Sequence, residues 1–364
     1  MSTREASQQP ALADLIELSR WQRLQDHFTT ILGIALRTVS PARALLTTPS
    51  WPVGWEAGRA VEALHIGEEL EPLIAVDQPL QGTHQLTTSL GTTYAAVPIH
   101  VTPTQLIAYF VVGPVMLGTR EDPAAFRQRL RALGLDPEAI RPWLVSIKSY
   151  TFAGFRSVLT FLEEVGSALA QLAYQATHLP AILPERRLSG EPEGFRPGLP
   201  RVDQAVMRYY TQRVFQSLLD AAMTAARAEG GSILVYDPQV ETFRIEAAYG
   251  LSDELVRSTR VKRGEGLAGL VAQEHRILLV DETIIEERIT RRMQRPSLTS
   301  SLVAPLTVEA VAEPIGVLNL RTSHPTWRFT EEHVELLKKL LELAGVALGG
   351  LRLLLGRGPS VPAV

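Results

Sequence analysis

Two stretches decide how this chain folds. The first is Ala95-Ala96-Val97-Pro98-Ile99-His100-Val101, followed by Leu106-Ile107-Ala108-Tyr109-Phe110-Val111-Val112-Gly113. The second is Leu302-Val303-Ala304-Pro305-Leu306-Thr307-Val308, followed by Pro314-Ile315-Gly316-Val317-Leu318-Asn319-Leu320. Laying Pro98 on Pro305 puts Ile99 on Leu306 and Val101 on Val308, and the second apolar run then begins at nearly the same distance. A strand ending in a proline-marked turn to a second apolar strand is a hairpin signal. The same hairpin met twice, far apart in one chain, points to two related modules.

Composition agrees with that division. A length of 364 residues suits two domains. With 45% hydrophobic and 21% charged residues the chain is globular in character. Its net charge, 36 − 39 = −3, asks for neither nucleic acid nor an anionic membrane surface. The absence of cysteine excludes disulfides, thiolate metal sites, a cysteine nucleophile and sulfur-linked tetrapyrroles. Apolar runs such as 107–112 fall far short of the roughly 20 residues a membrane helix needs. Met1–Pro10 is polar and lacks a signal-peptide core, so a cytoplasmic location is expected.

Outward from the first hairpin, residues 11–32 carry helical spacing and Ile34–Val39 alternates like a strand. Pro41–Gly67 holds three prolines with Trp51 and Trp55, and reads as an irregular loop with the tryptophans exposed. Beyond the hairpin, Phe155, Val158, Leu159, Leu162, Val165, Leu169 and Leu172 form one stripe of a helix over Phe152–Ala176, a core face or a dimer seam. His178–Pro200 contains five prolines and three glycines, which a helix or central strand does not tolerate. The second module is expected to run through a helix at Val202–Glu229, strands at Ser232–Tyr236 and Thr242–Ala248, a glycine-rich turn at Gly264–Gly269, a strand at Ile277–Val280, the second hairpin and a helix at Glu331–Leu355.

Residues 202–353 resemble a GAF domain. The likeness rests on Gly250-Leu251-Ser252, on Gly264-Glu265-Gly266-Leu267-Ala268-Gly269-Leu270-Val271-Ala272, on Ser301–Leu306 with Ile315–Leu318, and on Phe329-Thr330-Glu331-Glu332 before the leucine helix. Residues 12–176 resemble a PocR-type sensory domain through Leu24-Gln25-Asp26-His27-Phe28, Ala96-Val97-Pro98-Ile99 and Val112–Gly118, closed by helices at Asp136–Leu144 and Phe152–Ala176. Members of that family commonly have cysteines before the hairpin, where this chain has Gly91-Thr92-Thr93-Tyr94, so no thiol or metal role carries over. The resemblance implies an α+β fold of two PAS/GAF-like modules. Each is an antiparallel sheet flanked by helices, with one sheet face cupped to hold a small molecule. The expected division is 11–176 PocR-like, 177–201 linker, 202–355 GAF and 356–364 tail.

Gly264–Gly269 lacks the Lys-Ser/Thr ending of a phosphate loop and reads better as a closely packed loop-to-helix junction. Arg288, Arg291, Arg292 and Arg295 fall at i, i+3, i+4 and i+7, one face of a helix that could clamp an anion or simply pair with Glu282, Glu286 and Glu287. Tyr236, Tyr249, Leu267, His275, Ser300 and Ser301 complete the candidate lining of the second pocket. Trp51, Trp55, His84, Tyr94 and Tyr109 are the candidates in the first, where aromatic rings could line a cavity or fill a core. No histidine pair has metal-ligand spacing, and no catalytic triad or carboxylate pair is recognisable. Asn319, the only asparagine, is followed by Leu320, which does not match the cyclic-nucleotide motif of GAF domains.

The expectation is a non-enzymatic cytoplasmic sensor without its own output domain, needing no cofactor. It would bind an unidentified small molecule, form a homodimer through its long helices and act through a separate output protein, without touching nucleic acid or membrane. The alternative is a dimerisation scaffold with degenerate pockets.

Overall fold

The structure, a computed structural model, describes residues 10–63, 67–74, 82–118, 122–178, 204–281, 300–308 and 311–354. The first module runs through helices α1 (Leu12–Leu15) and α2 (Leu18–Leu32), strand β1 (Leu36–Val39), helix α3 (Glu56–Val61), strands β2 (His84–Thr87), β3 (Thr93–Thr102) and β4 (Gln105–Leu117), helices α4 (Pro123–Ala132) and α5 (Pro137–Ser146), strand β5 (Ser149–Tyr150) and helix α6 (Phe152–His178). The second comprises α7 (Gln204–Ala226), β6 (Gly230–Asp237), β7 (Thr242–Tyr249), α8 (Asp253–Ser258), β8 (Arg260–Val261), α9 (Gly266–Glu274), β9 (Leu278–Asp281), β10 (Ser300–Val308), β11 (Val311–Thr322) and α10 (Glu331–Leu354).

The helix expected over 11–32 is two. Ile16 adopts an extended backbone between α1 and α2, and both Leu12 and Ile16 are buried by that break. Gly33 then ends α2 in the left-handed region (φ 65), where a glycine meets no Cβ penalty. α5 begins where the Asp136 side chain accepts from the Glu138 N–H and Pro137 occupies the first turn. Apart from its first two residues, the expected linker at 177–201 lies outside the described residues.

The duplicated hairpins are β3–β4 and β10–β11, with Pro98 opposite Tyr109 and Pro305 opposite Val317. In the first sheet the order is β1-β4-β3-β2, with β5 parallel to β4; in the second it is β8-β7-β6-β11-β10-β9. Contrary to the expectation from sequence, the matched prolines do not mark the turns but lie inside β3 and β10, and their place there has a common physical reason. β2 pairs with β3 only over Thr93–Ala96, and β9 pairs with β10 only over Ser300–Val303. Pro98 and Pro305 each lie just past the short outer strand, where no neighbour on that side needs the missing N–H.

Each sheet turns one face towards a shared layer of four helices. α2 and α6 pack on the first sheet, α7 and α10 on the second, and the two pairs pack on each other. One continuous core therefore runs from Trp21, Phe28 and Phe110 through Phe155, Leu162 and Leu169 to Phe215, Leu340, Leu302 and Leu318. The stripe of α6, which suggested a dimer seam, is covered inside the chain by the first sheet and by α7 and α10. Small residues let the layers close. A Cβ on Gly154 of α6 would come within 3.0 Å of Leu336, and one on Gly345 of α10 within 2.4 Å of the Thr307 carbonyl.

Polar anchors stand between the modules. Arg213 of α7 pairs with Glu164 of α6 at 2.6 Å and donates to Gln171 Oε1 at 2.6 Å. Lys339 of α10 donates to the Leu32 carbonyl at 3.3 Å and to the Tyr150 hydroxyl at 3.2 Å, with its ammonium 5.1 Å from the Tyr150 ring. Burial, and then the neighbouring charge of Lys148, lowers the Lys339 pKa.

Candidate ligand-binding faces

The outer face of the second sheet divides in two. At one end α9 lays Leu270 and Val271 over Leu234, Phe243, Val303 and Val317, with Leu267 and Tyr236 at the margin. α9 can lie so close because Gly269 has no side chain: a Cβ there would stand 2.2 Å from the Lys262 carbonyl. The glycine-rich stretch is thus a packing junction. Arg263 covers this end, its guanidinium 4.9 Å from the Tyr236 ring and 5.7 Å from Phe243, and Glu313 holds it at 2.6 Å.

At the other end the same face turns polar. Asn319 is directly opposite Val303 on one side and Ser232 on the other, and its Nδ2 stands 3.4 Å from the Ser232 hydroxyl. One step along, Ser301 is opposite Arg321, whose guanidinium donates to the Gly250 carbonyl. Ser232 and Ser301 are buried and Asn319 is half-buried. Asn319 offers two donors and one acceptor, the hydroxyls offer both roles, and Arg321 supplies a cation. That set can orient a polar or anionic molecule whose apolar part rests on the neighbouring valines and leucines.

The outer face of the first sheet is filled instead. α3, α4 and α5 bury Trp55, Trp143, Tyr94, Tyr109, Leu130 and Ile140 against it, with Trp55 and Trp143 edge to face at 6.4 Å. α3 approaches so closely that a Cβ on Gly58 would stand 2.1 Å from Trp143 Nε1. Within this apolar packing lies one charged group of three: Arg37 pairs with Glu62, and the Tyr94 hydroxyl donates to the other Glu62 oxygen at 2.9 Å. Burial, and then the charge of Glu62, pushes the Tyr94 pKa well above its ordinary value, so the hydroxyl stays a donor. On the opposite face, Gln25 collects the hydroxyls of Thr38 and Thr47 at 2.8 and 2.6 Å and donates to Ser50 at 2.7 Å; Ser50 in turn donates to Asp26 at 2.5 Å. This closed network ties the 40–50 loop to α2 and leaves no polar atom of Gln25 for a ligand.

Comparison with protein families finds the sensory domain of PocR at residues 80–174 and a GAF domain at 211–349. The chain carries a PocR sensory domain followed by a GAF domain. Solved structures similar to it each cover about two fifths of the chain. The GAF domain of an Acinetobacter phosphoenolpyruvate-protein phosphotransferase is 23% identical, covers 38% of this chain and 81% of that one, and has a TM-score of 0.32. A segment of a methyl-accepting chemotaxis protein is 18% identical over 40% of this chain and 92% of that one, with a TM-score of 0.34. The free methionine-R-sulfoxide reductase of Neisseria meningitidis is 14% identical over 41% and 87%, with a TM-score of 0.33. No curated protein matches the sequence.

In the GAF half, the candidates from sequence do not share one surface. Ser301 lies on the outer face, but Ser300 points to the helix layer with Leu302 and Ala304, where the Phe329 N–H stands 3.5 Å from its hydroxyl. Tyr249 pairs with Gly231 on the face that meets α7 and is exposed. A bulge between Ile233 and Leu234 shifts its register from that of Phe243 and Ile245. Tyr236 and Leu267 border the apolar end, while His275 caps α9 from outside, 3.2 Å from Glu313. Arg288, Arg291 and Arg292, with Arg295, lie outside the described residues, so the anion clamp does too. Sequence reading missed Ser232, Asn319 and Arg321. The signal was present: in Val317-Leu318-Asn319-Leu320 the alternation sets Asn319 opposite the two leucines.

In the PocR half, Trp55 is 2% exposed and Tyr94 and Tyr109 are 1% exposed, which corrects the expectation of exposed tryptophans and of an aromatic-lined cavity. Trp51 is half-buried, and His84 is exposed on the outer strand β2. Among the described residues no group of three or more His, Asp or Glu stands where it could hold a metal, and no helix is long and apolar enough to cross a membrane.

Proposed function

We propose that this chain is a non-enzymatic small-molecule sensor whose ligand is taken up on the outer face of the GAF sheet, at Ser232, Ser301, Asn319 and Arg321. The observation that carries the reading is the polar row itself, set on a face that is otherwise apolar. A ligand there would bear on β6, β10 and β11, whose opposite faces rest on α7 and α10, so binding would be passed to the PocR half through the helix layer. In this reading the chain works in the cytoplasm and hands its signal to a separate output protein. Sulfoxide reduction of the kind named for two similar structures is disfavoured, because a thiol would have to supply the electrons and the chain has no cysteine.

A melting-temperature screen of the full chain against polar and anionic metabolites tests it. A ligand that binds only the folded state raises the midpoint by mass action. The expected result is a compound that stabilises the native protein but neither Asn319→Leu nor Ser301→Val. A response that survives both substitutions would overturn the proposed site, and a screen without any response would favour a scaffold with degenerate pockets. The filled outer face of the PocR half gives that second reading its own support.

A further inference from the structure

The geometry points to a second binding site, in the PocR half: Arg37 and Tyr94 form a receptor for a small carboxylate that the chain's own Glu62 occupies, and a free monocarboxylate binds by displacing Glu62. It stands on its own, whether or not the GAF face takes a ligand.

The two oxygens of Glu62 are held by different donors, one by the Arg37 guanidinium and the other by the Tyr94 hydroxyl at 2.9 Å. This is how a site built for a ligand carboxylate grips it. The receptor and its occupant have separate origins. Arg37 on β1 and Tyr94 on β3 belong to the sheet, whereas Glu62 is delivered by the residue that follows the six-residue helix α3. Tyr94 is rigid, since its ring lies so near Gly113 that a Cβ there would approach it to 2.8 Å.

Charge restricts what can replace Glu62. The Glu62 side chain is 8% exposed and that of Arg37 is 20% exposed, so withdrawing Glu62 alone strands a mostly buried cation. An incoming group with one negative charge and two acceptor oxygens restores both bonds; a neutral amide or alcohol does not. Size restricts it further. Beside Arg37 a small cavity of ≈ 10 Å³ is walled by Pro49, Trp51, Val111 and Gly113. The ligand must fit the room that the departed Glu62 side chain leaves, and that side chain is itself two methylenes and a carboxylate, so a short aliphatic acid suits it. The site meets solvent at Arg37, the more exposed partner of the pair.

The test titrates the full chain with sodium propionate against sodium chloride at equal ionic strength, reading the melting temperature and tryptophan fluorescence. The native protein is expected to gain a few degrees at roughly tens of millimolar propionate, since the free acid competes with a tethered one. Glu62→Ala should respond at a concentration roughly tenfold lower or less, because the competitor is gone. Arg37→Gln should respond no more to propionate than to chloride. If Glu62→Ala does not fold, Glu62→Gln replaces it, keeping the shape but not the charge. Equal responses with and without Arg37, or no response in the Glu62 variant, would overturn the receptor. A response in the variant with none in the native protein would overturn the displacement.

Discussion

The two sheets use their inner faces alike and their outer faces differently. Each gives one face to the shared helices, and each is centred on the same proline-marked hairpin. On the outside, the PocR sheet is covered by three helices that bring Trp55 and Trp143 into one apolar cluster with Tyr94 and Tyr109 of the sheet, while α9 covers only part of the GAF sheet and leaves the Asn319 row beyond its edge. A common scaffold thus yields one face that is already occupied and one equipped with hydrogen-bonding groups for something else. The difference lies in side-chain volume and in what lies over the sheet. The strands themselves are closely matched.

If the helix layer is common property, its loss should be felt by both halves. Phe161→Ala and Leu340→Ala, both fully buried, are expected to cost roughly 3–5 and 2–5 kcal/mol. Denaturant melts should show the two modules destabilised together. A variant in α10 that loosens only the GAF half would break the comparison at its root.

The filled outer face predicts a smaller and more local effect. Gly58→Ala has to displace Trp143 and should cost about 1–3 kcal/mol, with the change in tryptophan fluorescence confined to the PocR half. A neutral outcome would mean that face is looser than its packing indicates.

Arg213 tests the polar anchor between the halves. Burial holds the Glu163 and Glu164 carboxyls above their ordinary 4.5, and Arg213 acts in the opposite direction on Glu164. A carboxyl with a raised folded pKa favours the fold most at low pH, and that contribution disappears as pH rises through the folded pKa. Removing Arg213 raises Glu164 further. Arg213→Ala should therefore cost about 1–2 kcal/mol at neutral pH, and the deficit should shrink as pH falls through the raised Glu164 pKa. A pH-independent deficit would assign the loss to the contacts of the guanidinium with the Tyr209 and Tyr210 rings instead.

The smallest stability effects belong to the GAF outer face. Asn319→Leu is half-buried and should change stability by less than about 1 kcal/mol while abolishing any ligand-induced rise in melting temperature. Tyr249→Ser, on an exposed ring at the other face, should change neither the stability nor the ligand response.

How much of this was legible in the sequence follows from what each pattern encodes. The hairpins were, because two apolar runs around a short polar break specify strand, turn and strand, although the matched prolines lie within the strands and not at the turns. So was the apolar stripe of α6. What covers that stripe was not, since an apolar face looks the same whether it meets a sheet, a second copy or another module of the same chain. Trp55 lay in a stretch without period, and its burial depends on α5 bringing Trp143 over it. Ser300 and Ser301 show the limit most plainly. Adjacent in sequence, they point to opposite faces, and only the register with β9 and β11 says which is which.

Native-state hydrogen exchange of the full chain tests the shared core most directly. Slow amides in β3–β4 and in β10–β11 should open with the same free energy and shift together in Leu340→Ala, as one cooperative unit does. Exchange of β10–β11 through a lower-energy opening that leaves β3–β4 protected would contradict it.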